Sequence, residues 1–370
     1  MVSSQPEKVA SSNLKKALVF FIRLFITLGF FYYLFFHLIH FQDEIFLANG
    51  QKVQGFIERI SDDGISLKTA GESLWLEKEK LQKSKEGMFS VKMGFVSVLK
   101  KLDVKLFLPF VLFFLLNAII GALRFQWLLA SQKVILGYSQ SLKVTFMGLF
   151  FGNFLPGFTG GDLVKAYYIS KESSGIAKSL IAVLIDRVIG LASLIVLVAL
   201  ILTLQWGKAE FYLASLLIFS CFFTMVLGLI FFFCCPKKWV YQKNNALFRI
   251  LQTFYDYQEH KKVLFKCFSI TFFIHISTNI AVYGFALALG IHTIPWYTYF
   301  VYVPIGFLLM ALPISLAGWG VGEAAYSFMF TKVGLPPEQA VVLSILVKIG
   351  QMLISLIGGF VWLSLGMRKK

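Results

Sequence analysis

Two carboxylate and cation pairs set at one spacing are the residues of this sequence best suited to chemistry. Asp162 ends a Pro and Gly cluster that starts at Asn153 and passes through Pro156, Gly157, Gly160 and Gly161, and Arg187 follows 25 residues later. Glu323 ends a second cluster, built on Pro313, Gly318, Gly320 and Gly322, and Lys348 follows it by the same 25. Each cluster interrupts a long apolar run, and each cation lies inside the next one, ahead of Gly190 and Gly350. Charge is costly in hydrocarbon, and broken helices build the binding sites of transporters, so the pattern points to a translocation site.

The roles open to these side chains differ. Asp186 and Arg187 stand about eight residues inside an apolar run, close to a bilayer midplane, where each must face a partner or a water-filled cavity. One reading is an ion pair that fastens helices together. The other is that Arg187, with Lys348, grips the phosphate of an anionic lipid headgroup, for which the planar guanidinium fork is suited. Asp162, Asp186 and Glu323 would then balance those cations or engage a cationic headgroup. A helix should start at Gly160 and Gly161; Asp162 either caps it or leaves its backbone N–H groups to approach a phosphate. Lys165, one turn on, faces the same way as Asp162. Glu323 has the same cap alternative. The substrate-binding candidates are therefore Arg187, Lys348, Asp162, Glu323, Asp186, Lys165, Asn153, Gly160 and Gly161. His275 and Asn279 share a helix face at i, i+4 and suit hydrogen bonds between helices.

Positioning those residues falls to membrane helices. The chain is 58% hydrophobic, 17% aromatic and 15% charged, with mean hydropathy +0.75, which a soluble domain could not carry without large apolar patches. Runs near the roughly 20 residues that cross a bilayer predict helical spans at about 17–41, 106–123, 144–158, 179–206, 210–235, 263–290, 295–316 and 340–367. The first run is too long for a cleavable signal peptide and is expected to stay as a helix. The formal charge of +16 does not indicate nucleic acid. Its cations gather beside the runs, at Lys8, Lys15, Lys16, at Lys237, Lys238, Lys243, Arg249, Lys261, Lys262, and at Arg368, Lys369, Lys370, where the positive-inside rule places cytoplasmic ends. Cys221, Cys234, Cys235 and Cys267 lack metal-ligand spacing and read as small packing residues.

Parity turns the breaks into hairpins. If the N-terminus and the basic loop 236–262 are cytoplasmic, the second run ends inside at Arg124 and Lys133, and residues 165–178 also lie inside. The segment between leaves the cytoplasm and returns, so it is re-entrant and turns at 153–161. The same count puts a second re-entrant element at 312–323, entering from the outer side. Two such elements of opposite orientation predict an inverted repeat. The fold expected is an all-α polytopic membrane protein of about 7–8 spans including both hairpins. Residues 1–41 hold the cytoplasmic N-terminus and first helix, 42–92 an extracytoplasmic β module, and 93–370 the transmembrane domain. In the module, stretches at 44–47, 53–60, 65–68 and 74–76, separated by Asn49-Gly50, Asp62-Asp63-Gly64 and Ala70-Gly71, predict a meander of three or four strands.

The stretches FGNFLPGFTGGDLVKAYY (151–168), VLIDRVIGL (183–191) and LPISLAGWGVGE (312–323) together resemble the transmembrane region of the lysylphosphatidylglycerol synthase family. The likeness covers roughly residues 100–367. It implies a flippase-like region with re-entrant helices around a central cavity. The expected location is a bacterial-type plasma (inner) membrane, and the flanking lysines and arginines place both termini on the cytoplasmic side. Full-length enzymes of that family join it to an aminoacyl-transferase domain; no such half is present in these 370 residues, so lipid aminoacylation itself is not expected. The β module is a departure from the shortest members. The expected function is movement of an anionic phospholipid or lipid-linked headgroup between leaflets, with a phospholipid or glycolipid as partner, no nucleic acid and no cofactor. A homo-oligomer stays open. The alternative is a membrane enzyme or accessory subunit in lipid or polyprenyl-linked sugar modification, with the same carboxylates as general base. No Walker A loop indicates nucleotide-driven transport.

Overall fold

With no water available in hydrocarbon, a crossing segment must satisfy its own backbone, and helices do so. In the computed structural model five helices among the described residues are long and apolar enough to cross. The structure describes residues 18–367 apart from 19–20, 23, 35, 37–38, 62, 70–71, 83–90, 155–159, 172–175, 235–251, 253–254 and 313. The cations Lys8, Lys15, Lys16, Lys237, Lys238, Lys243, Arg249, Arg368, Lys369 and Lys370 fall outside the described residues, as do Cys235, Pro156, Gly157 and Pro313. The helices are α1 (Leu24–Tyr33), α2 (Phe95–Lys100), α3 (Val104–Ser131), α4 (Tyr138–Phe154), α5 (Gly160–Ser170), α6 (Ile176–Leu204), α7 (Tyr212–Cys234), α8 (Lys261–Ala288), α9 (Trp296–Ala311), α10 (Val321–Thr331) and α11 (Pro337–Met367).

The long apolar helices lie within a few residues of the expected runs, with one consequential difference. The second run does not stop at 123: α3 continues to Ser131. Arg124 therefore sits within a membrane helix and not at its end. The helix can carry this cation because Arg124 has a carboxylate and a hydroxyl as partners, described below. Asp103 starts α3 as its N-cap, accepting from the N–H groups of Lys105 (2.9 Å) and Leu106 (3.2 Å), which satisfies donors that a helix start leaves unpaired.

Packing sorts the helices into two matching sets, α3 to α6 and α8 to α11. In each set the second helix lies along the third and the third along the fourth, and the fourth of each set packs on the second of the other, α6 on α9 and α11 on α4. The first helices, α3 and α8, form the most extensive helix contact. They run antiparallel: the Asp103 N–H donates to the Ala288 carbonyl (2.8 Å) at one end, Asn117 Nδ2 to Thr278 Oγ1 (3.0 Å) in the middle and Arg124 Nη1 to Thr271 Oγ1 (2.8 Å) further along. Phe285 fills the seam against Phe107 and Phe114, with ring centroids 4.6 and 5.7 Å away. The third helices, α5 and α10, have 11 residues each. α7 has no counterpart among the described helices, packs on α6 and presents Phe223, Leu227 and Phe231 outward.

Ahead of the helical sets stands an antiparallel sheet of five strands, β1 (Asp43–Phe46), β2 (Lys52–Ser61), β3 (Gly64–Thr69), β4 (Glu72–Glu77) and β5 (Val91–Lys92), in the order β4-β3-β2-β1-β5. The expected meander is β1 to β4. The strand beyond it, β5, pairs Val91 with Ile45 and Lys92 with Glu44 across a long sequence gap, so local alternation carries little sign of it. Ile45, Ile65, Leu67, Leu76 and Leu81 form a small core. Buried Asp43 ties the sheet to α2 by accepting from Gly94 N, Ser97 Oγ and Ile57 N, each at 2.7 Å. On the same strand, burial pushes the Glu44 carboxyl up, but the Gln54 hydrogen bond and the charges of His40, Lys52 and Lys92 outweigh it and hold the group below its usual value. A depressed carboxylate adds stability above its unfolded value, about 4.3 for Glu, and loses it as pH falls through the lower folded value. Hydrogen exchange of the β1 and β2 amides, corrected for intrinsic rate, is expected to show protection falling as pH drops below about 4.3; a Glu44→Gln variant should lose less protection over that window, and equal losses would refute the role.

Candidate functional site

The first cluster is assembled where α5 leaves the first break. α5 and α4 approach closely because Gly161 has no side chain: a Cβ there would strike the Gly148 carbonyl and come within 2.9 Å of Gly152 N. A Cβ on Gly148 would in turn meet the Lys165 stem at 2.5 Å. Gly161→Ala must push the helices apart and is expected to cost about 1–3 kcal/mol, the usual penalty for overpacking, read as a lower thermal midpoint in detergent. An unchanged midpoint would refute the contact.

From that position Asp162, in the first turn of α5, receives both arms of Arg187 on α6. Arg187 Nε donates to Oδ2 at 2.9 Å and Nη2 to Oδ1 at 3.0 Å, the bidentate fork that makes guanidinium to carboxylate pairs strong. Asp186, next along the helix, points elsewhere, since consecutive helical residues do not share a face. It pairs with Arg124 Nη2 on α3 at 2.7 Å, and Arg124 also donates to Thr271 on α8. Lys165 lies among these four charges, half-buried, with its ammonium 5.2 Å from the centre of the Phe125 ring. Among the described residues Lys165 has no carboxylate within ion-pair distance. Among the described residues three cations thus face two carboxylates. The Arg187 side chain keeps 40% of its surface exposed, and Asp162 16%.

The second cluster has the same plan and a different environment. Gly318 and Gly320 hold φ near +74° and +80°, a region that costs glycine little and other residues more. That turn delivers Glu323 to the first turn of α10, where its Oε2 accepts the Gly320 N–H at 2.7 Å as a helix cap. Lys348 on α11 lies 3.1 Å from Glu323 Oε1 and 3.2 Å from Oε2, and donates to the Gly318 carbonyl at 2.8 Å. The Trp319 ring covers it with a centroid at 4.2 Å. Its side chain is 7% exposed and that of Glu323 1%. Both sequence alternatives for Glu323, cap and ion pair, are realised at once.

All the candidate residues are thereby placed. The structure brings Asp162, Lys165, Asp186 and Arg187 into one cluster, pairs Glu323 with Lys348 in another, puts Gly161 into the α4–α5 contact, starts α5 at Gly160 and leaves Asn153 half-buried next to the first break. Arg124 joins the first cluster without having been a candidate. The signal for it was the apolar continuation beyond it at Phe125, Trp127, Leu128 and Leu129, which marks the helix as unfinished. His275 Nε2 lies 3.0 Å from the Gly190 carbonyl, linking α8 to α6, while Asn279 donates to the His275 carbonyl in its own helix (2.8 Å).

A family model described as the lysylphosphatidylglycerol synthase TM region matches residues 92–359, from the end of β5 through most of α11. The chain belongs to that family. Comparison with curated proteins and with solved structures gives no match. Both charge clusters and all but the last residues of the two helical sets of this LPG synthase TM-region protein lie within the match, and it is a multi-pass membrane protein. Its α1 and strands β1 to β4 precede the matched region.

Proposed function

We propose that the protein moves an anionic phospholipid, or another lipid bearing a phosphate headgroup, between leaflets, through a polar site framed by two re-entrant hairpins in an inverted repeat. The observation that carries this reading is the intramembrane cluster of Arg124, Asp162, Lys165, Asp186 and Arg187, with three cations to two carboxylates among the described residues and an Arg187 side chain 40% exposed. Arg187 stands eleven residues after Ile176, the start of α6, which at 1.5 Å per residue is about 16 Å, roughly half the depth of a hydrocarbon core. Lys348 stands eleven after Pro337, the start of α11. The matching depths, the equal lengths of α5 and α10 and the antiparallel run of α3 against α8 support two repeats of opposite orientation. α4 and α11 begin at opposite ends of the bundle. α4 starts beside the C-terminal half of α3, where Tyr138 and Ser141 bond to the carbonyls of Ile119 and Ala122; α11 starts beside the sheet, where Glu338 meets His40 at 3.0 Å. That supports hairpins entering from opposite faces.

In this mechanism the headgroup phosphate enters the cluster and exchanges places with Asp162 on the Arg187 fork, since a carboxylate and a tetrahedral phosphate each present two anionic acceptor oxygens to a bidentate guanidinium. Lys165 supplies the second positive contact. Arg124 and Asp186 hold α3, α6 and α8 together around the site, and the acyl tails remain in lipid. Cations at the ends nearest α5 and α6, Lys171 and Lys178, with Lys261, Lys262 and Lys266 at the start of α8, support a cytoplasmic placement of that face, and so an inner-membrane orientation with both termini inside. In liposomes carrying a headgroup-labelled anionic phospholipid, the purified protein is expected to speed loss of label from the outer leaflet. A rate equal to that of protein-free liposomes would refute transport.

A further inference from the structure

The two charge clusters occupy equivalent positions, yet the segment preceding the family match treats them differently. α1 lies on the second break. Thr27 Oγ1 accepts the Leu316 N–H at 2.9 Å, a Cβ on Gly320 would come within 2.5 Å of Phe30 Cβ, and Phe31 stacks at a tilt on Trp319 with centroids 6.1 Å apart. Leu34 continues the contact into a small core with Val341. Trp319 is the ring that covers the Lys348 ammonium. Phe31, Trp319, Lys348 and Glu323 thus form a continuous stack from α1 to the buried carboxylate.

The chemistry of the two cations differs accordingly. A lysine ammonium has three N–H donors; that of Lys348 donates to Glu323 Oε2 and the Gly318 carbonyl, with Glu323 Oε1 at ion-pair distance, while an aromatic face covers the charge. A phosphate could reach it only by displacing Glu323 from a site 1% exposed, after α1 and Trp319 had moved. Arg187 has 40% of its side chain exposed and Lys165 beside it without a carboxylate partner among the described residues.

We propose that α1 is a plug that seals the second break, so that the protein has a single phosphate subsite, at Arg187 and Lys165 of the first repeat, and the second repeat serves as its fixed counterpart. This rests on the transport reading for the word phosphate, whereas the seal itself does not. The consequence is that lipid movement involves displacement of the α4–α5 hairpin against a second hairpin held by α1.

Two measurements separate the seal from the transport. In a background with Cys221, Cys234, Cys235 and Cys267 replaced by alanine, Arg187→Cys is expected to react with a small aqueous thiosulfonate ammonium reagent at least tenfold faster than Trp319→Cys, which leaves the Lys348 ion pair intact. Adding Thr27→Val and Phe30→Ala to Trp319→Cys should raise its reactivity toward that of Arg187→Cys. Equal reactivity with α1 unaltered would overturn the seal, whether or not the protein moves lipid. The second measurement ties α1 down: a Thr27→Cys, Leu316→Cys disulfide, formed in the same background, is expected to leave movement of the headgroup-labelled anionic lipid within about twofold of the reduced protein. A cross-linked protein that loses transport, recovered on reduction, would make α1 a gate and overturn the plug. If even the reduced protein moves no lipid, the transport reading fails, and the reactivity comparison still decides the seal.

Discussion

Arg187→Ala is expected to slow movement of a headgroup-labelled anionic lipid in liposomes by at least tenfold. The substitution removes the fork that binds Asp162 through two hydrogen bonds and would bind phosphate in the same geometry. A tenfold loss corresponds to about 1.4 kcal/mol, close to the lower limit of about 1.5 kcal/mol for a hydrogen bond to a charged group. Arg187→Lys should fall between, because an ammonium keeps the charge and loses the planar fork. Lys165→Met provides the control on folding. It cuts no carboxylate ion pair among the described residues, so a slowed rate with an unshifted thermal midpoint assigns the effect to the headgroup. Arg187→Ala protein that moves lipid at the parent rate would remove Arg187 from the site.

Breaking the Lys348 and Glu323 pair should act on stability first. Taking away one partner leaves a charge in a site where the side chains are 7% and 1% exposed, and removing one member of a buried pair costs about 3–5 kcal/mol. Glu323→Gln also weakens a helix cap, since an amide oxygen is a poorer acceptor for the Gly320 N–H than a carboxylate. Lys348→Met is expected to lower the thermal midpoint strongly, because it leaves the Glu323 charge with only that N–H among the described residues. The double variant should recover a large part of either loss, as the buried charges vanish together. A double-mutant cycle on thermal unfolding in detergent measures this coupling; additive losses would show that the two groups do not depend on one another.

Much of this arrangement was readable from residue types and spacing. Composition alone placed the chain in a membrane, and the two breaks were visible because Pro and Gly interrupt runs that would otherwise continue as helix. The 25-residue interval between carboxylate and cation proved to be a contact in both clusters, since the remainder of an 11-residue helix, five connecting residues and the first three turns of the next helix return the chain to the same level. Partner choice was less readable. Asp186 and Arg187 are neighbours in the chain but point to different helices, and the partner of Asp186 is Arg124, 62 positions earlier, a residue that looked like the end of a span because a lone cation often is one. β5 escaped notice for a related reason: two residues pairing across a gap of more than forty leave almost no local pattern.

By itself the sequence determined the class of the protein, the position of both breaks and the identity of the ionisable groups within them. Those follow from hydropathy and from the steric limits of Pro and Gly, which act within a few residues of chain. Only the tertiary structure decided that one pair is open and the other closed. Exposure is a property of what packs on top, and for Lys348 that is Trp319 held under Phe31, a helix almost three hundred residues away along the chain. Spacing could show two equivalent pairs; long-range packing made them unequal.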